Sequence, residues 1–390
     1  MDEVEVKLFN KAEDDPDAMG EEKKTQDESL LDPAVPALSC MRRSVQPCIN
    51  QGLVDALSPL REWRFLKYGT GHEKSMSYAT AISAIIGTPF RIESVAQARK
   101  LPKVGEKLAN KIQEFLTTGR IEQAERIVRT DEFRVLKLLQ QVHGIGHASA
   151  NELYCAGVRN LNDLFKAKPT MQNQLKYVED MNEKIHRCEV ESIHAFIRLQ
   201  LDRVKPDAET ILTGGYRRGK EFSNDVDILI TYPHRDGEER GVLKALVDRL
   251  QKKGFIPPDG LFGISFAGSE RTIAANRPAD RLDALDKANI IFRHPVNSTT
   301  RPEEKFRRVD LVVSPWKTWG CAVVAWSGST QFERDLRRYA KPKNLKFDAG
   351  GFRTQDTDAV VESDELSSER GVFRFLGLEY LPPTERCADP

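Results

Sequence analysis

Two aspartates one residue apart in Asn224-Asp225-Val226-Asp227-Ile228-Leu229-Ile230, and a third in Arg308-Val309-Asp310-Leu311-Val312-Val313, restrict how this chain can fold. Successive side chains of a strand point to opposite faces, so Asp225 and Asp227 share one face while Val226 and Ile228 enter a core. The same period assigns Val309, Leu311 and Val313 to a buried face. Asp310 then lies opposite, with Arg308 beside it to hold its carboxylate. Clustered carboxylates repel one another unless cations intervene, and hard oxygen ligands of this kind suit Mg²⁺. The chemistry expected is two-metal phosphoryl transfer.

Just upstream stands Gly214-Gly215-Tyr216-Arg217-Arg218-Gly219. A glycine pair lets backbone N–H groups approach an anion, and Arg217, Arg218 and Lys220 add positive charge suited to a triphosphate. Glycine turn, acid pair and distant acid together read as a nucleotidyltransferase palm.

The rest of the chain must support that palm. Its 390 residues allow two to four compact units, and 39% hydrophobic with 30% charged residues describes a globular protein. No run approaches the roughly 20 apolar residues of a membrane span, and no hydrophobic signal segment opens the chain, so membrane anchoring is not expected. Six scattered cysteines lack Cys-x-x-Cys spacing, which argues against zinc or a disulfide framework and for a reducing compartment. Residues 1–39 hold twelve acids and four bases, a net of −8 that leaves +8 on the remainder. That segment reads as a disordered acidic tail.

From Leu60 to Lys137, fifteen basic residues face nine acids, a net of +6 suited to a phosphate backbone. Tyr78, Ile82, Ile85 and Ile86 recur at helical spacing as core, with Lys74 at their edge. Two related segments follow, Leu101-Pro102-Lys103-Val104-Gly105 and Val142-His143-Gly144-Ile145-Gly146. Each is a tight turn opening a helix, whose free N–H groups can meet a DNA phosphate without reading sequence. They resemble helix-hairpin-helix motifs, although Lys103 stands where the first glycine is expected. Lys107 and Lys111 lie four apart on the helix after the first turn. They are either phosphate-binding or solvated lysines, or a pair whose mutual repulsion frees one amine to form a Schiff base.

Further on, the pattern predicts a helix over Leu243–Lys253, an irregular surface insertion over Ile256–Asp286 and a strand over Asn289–Phe292. Trp326-Ser327-Gly328-Ser329 then leads into a helix with a basic side, bearing Phe332, Arg334, Leu336, Arg337 and Arg338.

In this order the motifs resemble those of a family X DNA polymerase, closest to the polymerase beta type, over roughly five-sixths of the chain. The resemblance implies an α+β multidomain fold: a helical lyase domain with helix-hairpin-helix motifs, a nucleotidyltransferase palm with a mixed β-sheet, and a small α+β C-terminal subdomain. Its boundaries here are a disordered acidic tail (1–48), the deoxyribose-phosphate lyase domain (49–129), a DNA-binding subdomain with the second hairpin (130–186), the catalytic palm (187–315) and a nucleotide-selection subdomain (316–390). The implied activity is filling of short DNA gaps in base excision repair, with 5′-deoxyribose-phosphate lyase activity. A template-independent or RNA-directed nucleotidyltransferase of the same superfamily is the alternative.

Carried over residue by residue, the resemblance implies two Mg²⁺ on Asp225, Asp227 and Asp310, with Asp310 taking the primer 3′-hydroxyl proton. Gly215, Arg218, Asn224, Lys184, Trp326, Gly328 and Glu333 would meet the nucleotide. Gly215 replaces a serine, Lys184 an arginine, and Glu333 an asparagine. Ala325-Trp326 resembles the Gly-Trp pair of polymerase mu and terminal transferase, which implies relaxed exclusion of the 2′ hydroxyl. Lys111 takes the place of the lyase nucleophile, with Lys74 and Lys107 on the 5′ phosphate. Gly105, Gly144, Gly146, Arg308, Arg334 and Arg337 would meet DNA. Carbonyls of Arg99, Leu101 and Val104, and of Gln140, Val142 and Ile145, would hold Na⁺ or K⁺ in the hairpins. Expected partners are gapped or nicked DNA, deoxynucleoside triphosphates and other base excision repair proteins, with the chain a monomer. The expected compartment is the nucleus, with the mitochondrion, from Met41-Arg42-Arg43, as alternative.

Overall fold

The computed structural model describes residues 34–266, 285–294 and 305–390. The apolar periodicity of the helices builds two small helical cores in sequence. The first holds α1 (Gln51–Tyr68), α2 (Glu73–Ile86) and α3 (Glu106–Thr118), where Tyr78, Ile82, Ile85 and Ile86 pack with Leu57, Leu108 and Ile112. The second holds α4 (Asp131–Gln140) and α5 (His147–Cys155), packed through Leu136, Leu139, Val142 and Leu153. Thr130 caps α4 by accepting the Phe133 N–H at 3.2 Å. Both hairpin turns use left-handed backbone, at Gly144 (φ +84°) and at Lys103 (φ +63°). The lysine standing in the glycine place therefore keeps the turn, at a backbone cost of about 1–2 kcal/mol.

The palm is a five-stranded mixed sheet of β1 (Glu209–Leu212), β2 (Val226–Thr231), β3 (Leu261–Ser265), β4 (Asp286–His294) and β5 (Lys305–Val313), in the order β1-β2-β5-β4-β3. β2 and β5 run parallel, and the other pairs are antiparallel. Helices α6 (Arg187–Asp202) and α8 (Val242–Lys252) cover one face through Val226, Ile228, Ile230, Val309, Leu311 and Val313. Between β1 and β2 lies the single turn α7 (Gly214–Arg217). The C-terminal subdomain, with α9 (Trp319–Ser327), α10 (Thr330–Ala340), α11 (Glu369–Leu376) and a three-stranded sheet, covers part of the other face. Its core takes in Leu229 and Val312, so β2 and β5 are buried on both sides at their C-terminal ends.

Two expectations change. The segment read as wholly irregular contains β3, paired antiparallel with β4, while residues 267–284 lie outside the described residues. Three glycines, three prolines and mixed charge over Ile256–Asp286 hid a short strand whose order comes from its neighbour. The acidic tail was expected to run to residue 48. Residues 1–33 lie outside the described residues, but residues 34–48 are packed: Cys40 is buried in the C-terminal core, with Leu38 against it. Average composition masked these few apolar residues.

Candidate active site

The register of the parallel pair brings the acids together. Asp227 on β2 stands directly opposite Asp310 on β5, and Asp225 precedes β2 on the same face. One carboxylate oxygen from each of the three lies within 4.8 Å of the others. Gly214, at φ +58°, lies so close that a Cβ there would meet Asp227 Oδ2 at 2.0 Å. Any side chain at Gly214 would push that carboxylate out of the cluster.

Arg308 Nη2 reaches two of the acids, Asp225 Oδ2 and, at 3.3 Å, Asp310 Oδ2. The sequence had assigned it to Asp310 alone. The guanidinium neutralises only part of the charge. Burial pushes the Asp225 carboxyl above its ordinary value, and burial with the neighbouring Asp225 and Asp310 pushes Asp227 well above. Asp310 is 5% exposed and its Oδ1 is buried without a hydrogen-bond partner. A buried acceptor left unmade is costly, and three crowded carboxylates with an orphaned oxygen suit a hard divalent cation. Asp225, Asp227 and Asp310 would hold such ions, which when bound polarise phosphoryl oxygens and lower the charge on the attacking and leaving oxygens.

Around this cluster the predicted nucleotide contacts fall into two groups. Lys184 Nζ donates to Asn224 Oδ1, adjacent to Asp225. Arg218 Nη1 donates to the Ser327 carbonyl at 2.7 Å, which ties the glycine turn to the segment carrying Trp326 and Gly328. A Cβ on Gly328, at φ +61°, would lie 2.9 Å from Arg218 Nη1 and 3.7 Å from Glu333 Oε1, so these three residues converge. At Gly215 a built Cβ would be in ordinary contact with the Lys220 and Ser223 side chains, each 3.6 Å away.

Glu333 pairs with Arg337 at 3.1 Å, one turn along α10. Burial pushes its carboxyl up to about 7, against the pull of Arg337. A folded-state value above the ordinary 4.5 contributes stability that is present below about 4.5 and lost as pH rises through about 7. Glu333→Gln is therefore expected to flatten the dependence of Tm on pH between about 5 and about 8. Thermal melts across that range check it, and a profile parallel to wild type counts against it.

Sequence reasoning missed the network behind this site. Arg217 makes a bidentate pair with Glu369 of α11 at 2.6 and 2.7 Å and donates to Ser327 Oγ at 2.7 Å. Arg386, fully buried, joins Glu369 at 2.8 Å, and its carbonyl accepts from Ser329 Oγ at 2.8 Å. A lone glutamate on a short helix gives no signal of such a role. On the other side of the cleft, the His143 ring stacks on Phe262 of β3, 4.1 Å between centroids, bringing the second hairpin against the palm. Burial and then Arg308 hold the His143 imidazole below its ordinary value.

In the first helical unit, Lys107 and Lys111 share a face of α3, whose other side is buried through Leu108 and Ile112. Lys74 Nζ lies 5.3 Å from the Tyr68 ring centroid. Gly105 and Gly146 are the residues immediately before α3 and α5, leaving those helix starts open.

Residues 184–316 match the family described as DNA polymerase beta palm, residues 322–387 the DNA polymerase beta thumb, and residues 48–121 a helix-hairpin-helix domain. The chain is 32% identical over 372 residues to DNA-directed DNA/RNA polymerase mu of Homo sapiens, across 92% of this chain and 73% of that protein. The chain belongs to the family X DNA polymerases. It is also 29% identical to the DNA nucleotidylexotransferase of Monodelphis domestica (92% of this chain, 73% of that protein) and 32% identical to DNA polymerase lambda of Arabidopsis thaliana (80% and 58%). This family X polymerase is a nucleotidyltransferase acting on DNA and deoxynucleoside triphosphates, with a palm whose acid triad suits divalent metal. Among the described residues, no helix is long and apolar enough to cross a membrane.

Proposed function

We propose that this polymerase fills short gaps in DNA by two-metal nucleotidyl transfer and also removes a 5′-deoxyribose phosphate through Lys111. The observation that carries the transfer reaction is the parallel pairing of Asp227 with Asp310, whose buried Oδ1 has no hydrogen-bond partner. Asp310 is then the acceptor for the primer 3′-hydroxyl proton, while Arg218, Lys184 and Asn224 bind the triphosphate. Carbonyls of the two hairpins would hold monovalent ions that anchor DNA phosphates. The same reading puts the protein in the nucleus, as a monomer working with other base excision repair proteins.

For the lyase step, the Lys111 amine adds to the aldehyde of the ring-opened sugar and loses water to give an imine. Water takes a proton from the adjacent carbon as the bond to the 3′ phosphate oxygen breaks, and hydrolysis of the remaining imine releases the unsaturated sugar phosphate and restores the Lys111 amine. Lys107 and Lys74 supply the charge that holds the 5′ phosphate. Lys111→Ala is expected to abolish the borohydride-trapped adduct, a loss on the order of 100-fold, with extension within about twofold of wild type. Trapping that persists in Lys111→Ala would assign the chemistry to another amine.

One substrate tests both activities: a one-nucleotide gap bearing a 5′-deoxyribose phosphate, followed for primer extension and for sugar release. Ala325-Trp326 and the similarity to a DNA nucleotidylexotransferase favour a second reading, template-independent addition. Extension of single-stranded primer as fast as of gapped DNA would select it.

A further inference from the structure

Residues 34–48 join two units far apart in sequence. Val35 packs on the core of α1–α3, whereas Leu38 and Cys40, only a few residues on, belong to the C-terminal core. Ser39 donates twice to Asp335 Oδ2, from its N–H at 2.9 Å and its hydroxyl at 2.8 Å, both buried. Arg42 reaches back to Ser83 Oγ of α2 at 2.8 Å. Ser44 and Arg386 then form a parallel bridge, with Ser44 N–H on the Glu385 carbonyl and Cys387 N–H on the Ser44 carbonyl, each at 2.8 Å. Asp389 completes the junction, pairing with Arg61 of α1 at 2.8 Å while accepting the Gln331 N–H of α10 at 3.0 Å. The first helical unit is thus tied to α10, closing a circuit of contacts through hairpin, palm and C-terminal subdomain.

We propose that this strap is a positioning element that fixes the distance between the 5′-phosphate lysines of α2 and α3 and the nucleotide-facing side of α10, and so sets the length of gap the enzyme prefers. The inference rests on the gap-filling reading. Asp335, which the strap grips, lies on the same helix as Glu333, Arg334 and Arg337, and the strap's other anchor lies on α2, the helix of Lys74. Two DNA contacts held at a fixed separation favour a gap that matches that separation. Where the tie is released, a longer gap loses nothing by comparison, because the helical unit follows the 5′ phosphate independently. Misplacement by about 1 Å costs up to about 100-fold in rate, which sets the scale of the preference.

The test uses the full chain. Ser39→Asp, which sets a second carboxylate against the buried Asp335, is combined with Arg61→Ala. Exchange at the Ser44 and Cys387 amides reports whether the strap is released. Single-turnover extension is compared on one-nucleotide and five-nucleotide gaps with a 5′ phosphate, and on primer–template without a downstream strand. Wild type is expected to favour the one-nucleotide gap by at least about 10-fold, and the released variant by less than about twofold, with open primer–template unchanged within about twofold. Arg61→Lys alone should keep the wild-type ratio. A released strap with an unchanged ratio overturns the proposal, as does a strap that stays protected in the double variant or a wild type indifferent to gap length. Absence of extension on every gapped substrate would instead overturn the gap-filling reading.

Discussion

Asp310→Ala is expected to lower nucleotide transfer by about 10³–10⁴-fold while leaving DNA affinity within about threefold of wild type. Asp310 faces the two other acids across the parallel register and lies on a palm strand, away from both hairpin turns. The same change removes one of the like charges that push Asp227 upward, and with it a buried oxygen that has no partner. Stability without divalent ions should therefore hold or rise, even as activity is lost. Melting with and without Mg²⁺ separates the effects: wild type gains Tm on adding the ion, and the variant gains little. A variant that melts well below wild type in the absence of metal, or that keeps more than about a tenth of the activity, would remove Asp310 from the centre of the site.

Glu369→Ala is expected to destabilise the protein by about 3–5 kcal/mol, because it leaves the fully buried Arg386 and the largely buried Arg217 without their shared carboxylate. Despite burial, the hydrogen bond from Arg217 and the charge of Arg386 hold the Glu369 carboxyl down at about 2, from an ordinary 4.5. A lowered folded-state value contributes stability that is present above about 4.5 and lost as pH falls through about 2. The gap between wild type and variant in urea denaturation should accordingly be full near pH 7 and shrink towards pH 2–3. Ser327 and Ser329 hang on the same arginines, so KM for the nucleotide should rise more than kcat falls. A loss under about 1 kcal/mol at neutral pH would mean that water replaces the carboxylate at no great cost.

Much of the palm was legible because its signals are local. The period-two alternation that sends Val226, Ile228, Ile230, Val309, Leu311 and Val313 into one core needs only neighbouring residues to be read, and so does the helical spacing of Tyr78, Ile82, Ile85 and Ile86. The turn at Lys103 was legible despite its missing glycine, since the residues around it match the second hairpin. Other features had no local signature. Val312 alternates out of the first core, and only the packing of the C-terminal subdomain on that face makes it buried as well. Arg308 stands two residues from Asp310, yet it also reaches Asp225, a choice fixed by how β2 lies beside β5.

From residue order alone follow the acid pair on one strand face, the third acid on another, the glycine turn beside them and the two hairpin turns. These depend on backbone period and turn chemistry, which act over a few residues. Tertiary structure alone set Asp227 opposite Asp310, gathered Glu369 and Arg386 behind the glycine turn, and laid residues 34–48 across two units. Those partners are separated by long stretches of chain, and a side chain's charge or hydroxyl does not name which distant group will meet it until the cores have packed.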